Sequence, residues 1–326
     1  MRGLKSLGLL TLAATCLAVA APGLALADSY PSKPVRIVVP FPAGQSGDIL
    51  ARLIGEQLTK SLGKGFVIEN RPGAGGTLGA DVAAKAAPDG YTLVLVSNGP
   101  YAIAPAMYPR LPYSPARDLA PVARLGNTPQ VLLANPSAGF STVKEFVAKA
   151  GKGDLNYASS GNGSTQHLTM ELFRTTTGIK LNHVPFKGAA EAQTQVIGGQ
   201  IPILVDSVPS ALQQIKASKL KAIAVTSAQR SPFLPGIPTV AEQGYPGFEA
   251  IGWFGVAAPA QTPVEILDQL NAAIRKALAD PALRQRFEQL AVTPAGDETR
   301  AQFAAFLNHE IAKWGKVVKD SGATVD

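Results

Sequence analysis

The chain is poor in cysteine, histidine and charge. Its 326 residues include one cysteine, Cys16, and three histidines, and only 16% of them are charged. Cys16 lies in the apolar N-terminal segment, so a mature chain without that segment has no thiol for a disulfide or a cysteine-ligated metal. No H-E-x-x-H motif, histidine pair or acidic cluster suggests a metal. We therefore expect neither a metal site nor a cofactor.

The excess of basic over acidic residues is modest. The 30 Lys and Arg residues and 23 Asp and Glu residues give a net charge of +7, and removal of residues 1–27 lowers it to +5. Nucleic-acid binding needs a Lys/Arg block or a basic stripe with interleaved aromatic residues, and the chain has neither. We expect no nucleic-acid partner.

The N-terminal segment has the pattern of a secretory signal peptide. Arg2 and Lys5 precede an uncharged run rich in Leu and Ala, and small residues precede a cleavage position near Ala27. We predict that residues 1–27 are removed and that the mature protein is periplasmic. A retained membrane anchor and a lipidated Cys16 are the alternatives. No second apolar run of spanning length follows.

Short β-branched runs alternate with amphipathic segments along the rest of the chain. This alternation predicts an α/β fold with parallel sheets and helical crossovers. The predicted strands are Val35–Val39, Phe66–Glu69, Thr92–Val96, Val131–Ala134, Ile203–Val205 and Ala222–Val225.

Two irregular, proline-rich stretches predict crossings between domains. They are Tyr108–Pro121 and Arg230–Pro238. Two crossings imply a discontinuous domain 1, residues 28–128 plus 229–326, around a continuous domain 2, residues 129–228. Ligand clefts form at such interfaces.

The first candidate loop joins the strand Val35–Val39 to a helical pattern through small, uncharged residues. A helix start leaves about four backbone N–H groups unpaired and carries roughly half a positive charge. Residues Ala43–Gly47 would therefore suit a carboxylate or a phosphate. An ordinary strand-to-helix turn is the alternative.

A second loop, Leu155–His167, repeats this arrangement with a short strand, a run of Ser and Gly, and a helix beginning near Ser164. Its hydroxyl groups can cap the helix and donate to a bound oxygen. If each loop belongs to a different domain, an anion would lie between two facing helix starts.

Three further segments are weaker candidates. Lys187 in His183–Gly188 could fix a distal acid group, although a solvated lysine is the alternative. Asp206 ends a predicted strand, where it could accept a hydrogen bond from a ligand or cap a helix. The loop Asn70–Gly79 matches neither phosphate-binding glycine pattern, so we expect a tight turn at the rim of the cleft.

The segment Gly44–Asp48, GQSGD, lacks the last glycine of the G-x-S-x-G nucleophile elbow. A hydrolase would also need a histidine beside Ser46, and we expect His167 and His183 to be structural and His309 to lie on a helix. We predict that the protein is not an enzyme, and an exported hydrolase remains the least favoured alternative.

From about Tyr30 to its C-terminus, the chain resembles the Bug family of extracytoplasmic solute receptors, the binding proteins of tripartite tricarboxylate transporters. The resemblance rests on the order and spacing of VPFPAGQSGDILAR at 39–52, ENRPGAGGTLGA at 69–80, DGYTLVL at 89–95, YASSGNGSTQHLTMELF at 157–173, HVPFKGAAEA at 183–192, AVTSAQRSPFLPGIPTVAEQG at 224–244 and GWFGVAAPAQTP at 252–263.

The resemblance implies a type II-like Venus flytrap of two domains that closes on a small carboxylate in the cleft. With the loops above, it gives a candidate site of Phe41, Ala43, Gly44, Gln45, Ser46, Asp48, Ser97, Asn98, Gly99, Ser159, Ser160, Gly161, Gly163, Ser164, His167, Lys187, Gly188 and Asp206.

Two positions depart from the family pattern. The family usually has two consecutive glycines where this chain has Gly44-Gln45, and it has HVPYKG where this chain has HVPFKG. Gln45 either alters the choice of ligand or points away from it.

Together these features predict a monomeric periplasmic receptor that captures a small organic acid by domain closure and delivers it to integral membrane transporter subunits. Closure follows if the ligand binds the closed state better than the open one. A sensing subunit for a membrane signalling system is the alternative.

Overall fold

The computed structural model describes residues 30–153 and 155–324. The predicted signal peptide and Cys16 lie outside the described residues. Within the described ranges, no helix is both long and apolar enough to cross a membrane.

Ten strands and eleven α-helices alternate along this part of the chain. The strands are β1 Val35–Val39, β2 Phe66–Asn70, β3 Thr92–Ser97, β4 Leu119–Ala134, β5 Leu155–Ser159, β6 Leu181–Pro185, β7 Ile203–Ser207, β8 Lys221–Val225, β9 Ile251–Pro259 and β10 Thr293–Pro294. The helices are α1 Ser46–Leu62, α2 Thr77–Ala84, α3 Ala104–Met107, α4 Pro115–Asp118, α5 Val143–Ala150, α6 Thr165–Thr177, α7 Ala189–Ile197, α8 Val208–Lys216, α9 Val264–Ala279, α10 Pro281–Gln289 and α11 Arg300–Ser321. A 3₁₀ turn at Ala74–Gly76 precedes α2, and a π-helical turn at Asn98–Ile103 precedes α3.

The strands form one curled sheet in the order β2-β1-β3-β9-β4-β7-β5-β6, with β8 and β10 paired to β4. We call β2, β1, β3, β9 and the N-terminal part of β4 the first half. The second half is the C-terminal part of β4 with β7, β5, β6 and β8.

Strand β4 joins the two halves. Its residues up to Pro129 pair with β9, and from Gln130 onward they pair with β7. The sequence indicated only Val131–Ala134 as a strand, because the prolines and glycine before it suggested irregular backbone. Register shifts near Pro121 and Gly126 let the strand accommodate these residues.

The prediction of parallel sheets was right only for the outer strands. Strands β1, β2 and β3 are parallel, and so are β5, β6 and β7, whereas β4 and β9 run antiparallel to their neighbours. Strand β4 carries the chain from the first half to the second, and β9 begins where the chain has returned, so no helical crossover sets their direction.

The chain returns to the first half at Ile251, which pairs with Pro129. The segment Arg230–Pro238 therefore precedes the return crossing. Its end still belongs to the second half, because the Val225 N–H donates to the Pro238 carbonyl at 3.0 Å and Val225 pairs with Thr239. The division of the chain into two moving domains stays a prediction.

Three apolar cores hold the layers together. One lies between the first half and helices α1, α9 and α10, and another lies between the second half and helices α7 and α8. The third is continuous across both halves and contains the buried Trp253 and Trp314. Helix α11 carries Trp314, and the Arg174 guanidinium of α6 donates to the Ser321 carbonyl at 3.0 Å. The C-terminal helix therefore packs against both halves.

Candidate functional site

A cavity of about 980 Å³ lies between the two halves. The first half contributes residues from three loops, including Phe41–Gly47 without Ala43, Pro72–Gly76 without Ala74, and Ser97–Pro100. The second half contributes Ser160, Asn162–Gln166, Lys187–Glu191, Asp206, Ser207 and Ser210. The strand residues Thr128 and Gln130, with Gly252–Phe254, lie where the halves join.

Five α-helices begin at this cavity. Helices α1 and α2 come from the first half, and α6, α7 and α8 come from the second. The residues at their starts line the cavity: Gln45 and Ser46, Gly76, Ser164 and Thr165, Gly188 and Ala189, and Ser207. Each start contributes the positive end of a helix dipole, although the Gly76 and Thr77 N–H groups of α2 are already bonded to the Gly73 and Ala74 carbonyls. The sequence predicted two such starts, and the structure has five.

The first loop is held by the buried carboxylate of Asp48. It accepts hydrogen bonds from the Gly44 N–H at 2.9 Å, from Arg52 at 3.0 Å and from Asn70 at 2.9 Å. Burial acts to raise the pKa of Asp48, but these hydrogen bonds lower it overall. Asp48 therefore remains a carboxylate and fixes the turn that opens α1.

Gly47 is required by the packing of this turn. A Cβ atom at Gly47 would lie 2.7 Å from the Phe41 ring and 3.0 Å from the Leu95 side chain. Helix α1 also has no side-chain cap, because Gln45 makes none. Its first N–H groups are therefore left for another partner.

The second loop is held by neutral groups. Ser164 caps α6 by accepting from the His167 N–H at 3.1 Å, and His167 Nδ1 accepts from the Gly163 N–H at 3.1 Å. The His167 ring stacks on His183 with centroids 3.9 Å apart, and His183 Nε2 lies 2.6 Å from Ser159 Oγ. Burial lowers the pKa of His167 to about 4 and that of His183 to about 3. Both rings are therefore uncharged at neutral pH.

Asp206 is fully buried at the start of α8 and is surrounded by donors. Its oxygens accept from the Ser207 N–H at 2.7 Å, Ser210 Oγ at 3.0 Å, Gln193 Nε2 at 2.6 Å and Gln166 Nε2 at 3.4 Å. Burial raises the pKa of Asp206 in spite of these bonds. The side chain thus organises one side of the cavity.

A second buried carboxylate, Glu310 of α11, supports the wall of the first half. Glu310 Oε2 accepts from Asn98 Nδ2 at 3.1 Å and from the indole N–H groups of Trp253 and Trp314, both at 2.9 Å. Asn98 Nδ2 also donates to the Ile251 carbonyl, and its Oδ1 accepts from the Trp253 N–H, each at 3.0 Å. The Asn98 side chain is therefore engaged by the protein.

Most of the predicted site residues line the cavity: Phe41, Gly44, Gln45, Ser46, Ser97, Asn98, Gly99, Ser160, Gly163, Ser164, Lys187, Gly188 and Asp206. Five predicted residues are not among the lining residues, namely Ala43, Asp48, Ser159, Gly161 and His167. Ala43 is exposed outside the cavity, and the other four belong to the loop frameworks, where Ser159 Oγ accepts from the Gly161 N–H at 3.1 Å. Which of the predicted residues contact a ligand stays a prediction.

Sequence reasoning missed the lining residues on the strands. Thr128 and Gln130 lie on one face of β4 and could have been found by their period of two. Gly252 lets β9 approach β4 closely, because a Cβ atom at Gly252 would collide with Thr128 Oγ1. No sequence signal distinguishes Gln166 or Trp253 as a lining residue. Glutamine is common at helix starts and tryptophan is common in apolar strands, whether or not a ligand binds there.

The three histidines have the following places in the structure. His167 and His183 bond Gly163 and Ser159, and His309 is exposed on α11. In the part of the chain that the structure describes, no group of three or more potential metal ligands is present.

Comparison with known proteins identifies the family. Residues 50–323 match the model of the tripartite tricarboxylate transporter family receptor. The chain belongs to this receptor family. It is 39% identical to Protein BugT of Bordetella pertussis over 303 residues, which cover 91% of this chain and 92% of BugT.

Solved structures of similar proteins include two with bound acids. The structure of R. palustris Rpa4515 with adipate is 35% identical, has a TM-score of 0.81, and covers 90% of this chain and 99% of that one. MatC from Rhodopseudomonas palustris with bound malate is 34% identical, has a TM-score of 0.77, and covers 89% of this chain and 100% of that one. A periplasmic binding protein is also among the similar structures. The receptor is a two-domain solute-binding protein of this family, with its cavity where the halves meet.

Proposed function

We propose that this receptor captures a small carboxylate in the periplasm by closing its two halves around it and then delivers it to integral membrane transporter subunits. The observation that carries the proposal is the convergence of five helix starts on one cavity. Backbone N–H groups at a helix start bind anions without any cationic side chain. Adipate and malate, which the two similar structures bind, are dicarboxylates.

The N–H groups at the helix starts, rather than the side-chain charges, favour an anionic ligand in this cavity, because the carboxyl groups of Glu191 and Asp206 also line it. Lys187 is the only cationic side chain among the described residues of the lining, and it lies near Glu191, whose carboxylate accepts from the Lys187 N–H at 3.0 Å. The proposed carboxylate position is therefore between the starts of α1 and α6, with Lys187 placed to meet a distal acid group.

Closure is proposed to move domain 1, residues 28–128 plus 229–326, against domain 2, residues 129–228. A ligand that contacts both halves binds the closed state better and shifts the population toward it. We further propose that the receptor is a monomer, has no catalytic activity, binds no nucleic acid, and is released from a signal peptide cleaved near Ala27.

The experiment that tests the proposal is mass spectrometry of the ligand released from the purified mature protein, followed by calorimetric titration with that ligand. We expect a small di- or tricarboxylate, and its diamide or triamide should bind at least about a hundredfold more weakly because the anionic charge is lost. Release of a neutral solute, such as a sugar, that binds as tightly as any carboxylate would overturn the proposal.

The identity of the membrane partner distinguishes a transport function from a sensing function. Cross-linking of the loaded receptor to membranes should recover integral transporter subunits. Recovery of a membrane kinase in their place would favour the sensing alternative.

A further inference from the structure

Gln130 lines the cavity, and its side-chain oxygen is a buried acceptor without a hydrogen-bond partner among the described residues. It lies where the pairing of β4 changes from β9 to β7, and only 2% of the residue is exposed. Its Nε2 donates to the Thr128 carbonyl at 3.1 Å. Its Oε1 is buried and has no hydrogen-bond partner among the described residues. Such an atom is destabilising until a donor reaches it.

The orientation of this amide is fixed by its neighbour. Turning the amide by half a rotation would bring Oε1 against the Thr128 carbonyl oxygen, and two acceptors would then face each other. Oε1 is therefore the amide atom that has no partner, and it can only accept a hydrogen bond.

Ser160 is a second acceptor, fixed by a chain of hydrogen bonds that begins at Asp206. The Asp206 carboxylate accepts from Gln166 Nε2 at 3.4 Å, so Gln166 turns its Oε1 toward Ser160. Ser160 Oγ donates its hydrogen to that oxygen at 2.9 Å. The Ser160 oxygen can then only accept from a ligand, in contrast to the donor role that the sequence indicated.

A carboxylate cannot satisfy these two acceptors, because it carries no hydrogen at neutral pH. A hydroxyl or an ammonium group can. Building on the proposed function, we infer that this receptor selects carboxylates that also carry a hydrogen-bond donor, as hydroxy acids and amino acids do, over the unsubstituted acids of the same length. Gln130 and Ser160 are the residues that determine this selection.

The test is calorimetric titration of the mature protein with acids matched in length. The series are succinate, L-malate and L-aspartate; glutarate, L-2-hydroxyglutarate and L-glutamate; and tricarballylate and citrate. In the series that binds, we expect the hydroxy or amino member to bind at least about tenfold more tightly than the unsubstituted acid, because the latter leaves buried acceptors unpaired. The hydroxy and amino members distinguish the two kinds of donor.

Variants assign the preference to the two residues. Gln130→Met keeps the length of the side chain and removes the acceptor, so the ratio of the affinities for the hydroxy or amino acid and the unsubstituted acid should fall severalfold. Gln285→Met, at an exposed position of α10, is the matched control and should keep the full preference. Melting curves check folding, and Ser160→Ala provides a second, smaller change that should also reduce the preference.

The possible results distinguish failure of this selectivity from failure of the proposed receptor function. If an unsubstituted acid binds as tightly as its hydroxy and amino counterparts, the inference is wrong and the receptor function stands. A preference that survives in both Gln130→Met and Ser160→Ala also overturns it. If none of the acids binds, the proposed function fails, and the inference fails with it.

Discussion

The loops before α1 and α6 present helix starts to the cavity in the same way but are supported by different chemistry. In the first half, carboxyl side chains hold the wall, since Asp48 fixes the loop before α1 and Glu310 fixes Asn98 and Trp253. In the second half, the loop before α6 is held by two uncharged imidazoles and the Ser164 cap. An anion site needs backbone N–H groups in fixed positions. Either a carboxylate or an uncharged imidazole can hold the loop that carries them.

The largest expected difference between the halves is in their response to acid. His167 and His183 are uncharged in the native protein down to pH values of about 4 and 3, whereas in the unfolded chain they bind protons below about 6.5. The unfolded state thus binds more protons, and the free energy of unfolding should fall from pH 6.5 to pH 4 by up to about 1.4 kcal/mol per pH unit for each histidine.

Urea unfolding at pH 7, 6 and 5 measures this slope. Substitution of His183 by Gln should make it shallower, and substitution of the exposed His309 by Gln should leave it unchanged. The support from Asp48 is also lost as the pH falls, but in a lower window, because its pKa is lowered and its contribution is lost only below about 3.8. Equal free energies of unfolding at pH 7 and 5 would show that the imidazoles are not buried as described.

Asp48→Ala should remove the framework of the first loop. It leaves the Gly44 N–H and the Asn70 amide without their acceptor, so we expect a loss of about 2 kcal/mol in the free energy of unfolding and a large loss of ligand affinity. Calorimetry and chemical unfolding check both. The control is Glu56→Gln, which breaks an exposed ion pair on the same helix and should change neither. Full affinity in Asp48→Ala would mean that the first loop does not contact the ligand.

Glu310→Gln tests whether the C-terminal helix positions the cavity wall. Replacing one oxygen by an NH₂ group disturbs the hydrogen bonds to Asn98 and Trp253, and we expect about tenfold weaker binding of the ligand. Glu171→Gln is the matched control, since Glu171 is a buried carboxylate that accepts from Tyr157 and Arg174 and does not line the cavity. It should lower the melting temperature and leave affinity intact. Equal losses of affinity in both variants would show that Glu310 affects binding only by stabilising the fold.

Gln45→Gly is expected to have the smallest effect. Gln45 is exposed at the mouth of the cavity and forms no cap for α1. The change to the residue usual in the family should therefore alter affinity by less than about threefold, as measured by calorimetry. A change of ligand preference in this variant would instead identify Gln45 as a specificity residue.

The sequence predicted the outer parts of the fold well because their signals are local. The strand Val35–Val39 has the predicted ends, and the helices near Thr77 and Ser164 begin where glycine and serine indicated. The stripe of Leu53, Ile54 and Leu58 in α1 is buried as predicted. Hydrophobic periodicity and capping residues act over a few positions, so one sequence suffices to find them.

The parts that failed depend on contacts distant in sequence. The first part of β4 forms a strand through its pairing with β9, more than 120 residues later, in spite of Pro121 and Pro129. The sequence left the roles of Asp48 and His167 open for a different reason. A polar residue beside an anion loop can face the ligand or hold the loop, and only the partners, Gly44 and Gly163, decide between them.

The most direct test of the proposed site is a crystal structure of the receptor with the acid that copurifies with it. We predict that one carboxylate of this ligand lies between the starts of α1 and α6, and that backbone N–H groups from both halves bind it directly or through one water molecule. A ligand whose carboxylates contact only one half, or only Lys187, would contradict this account.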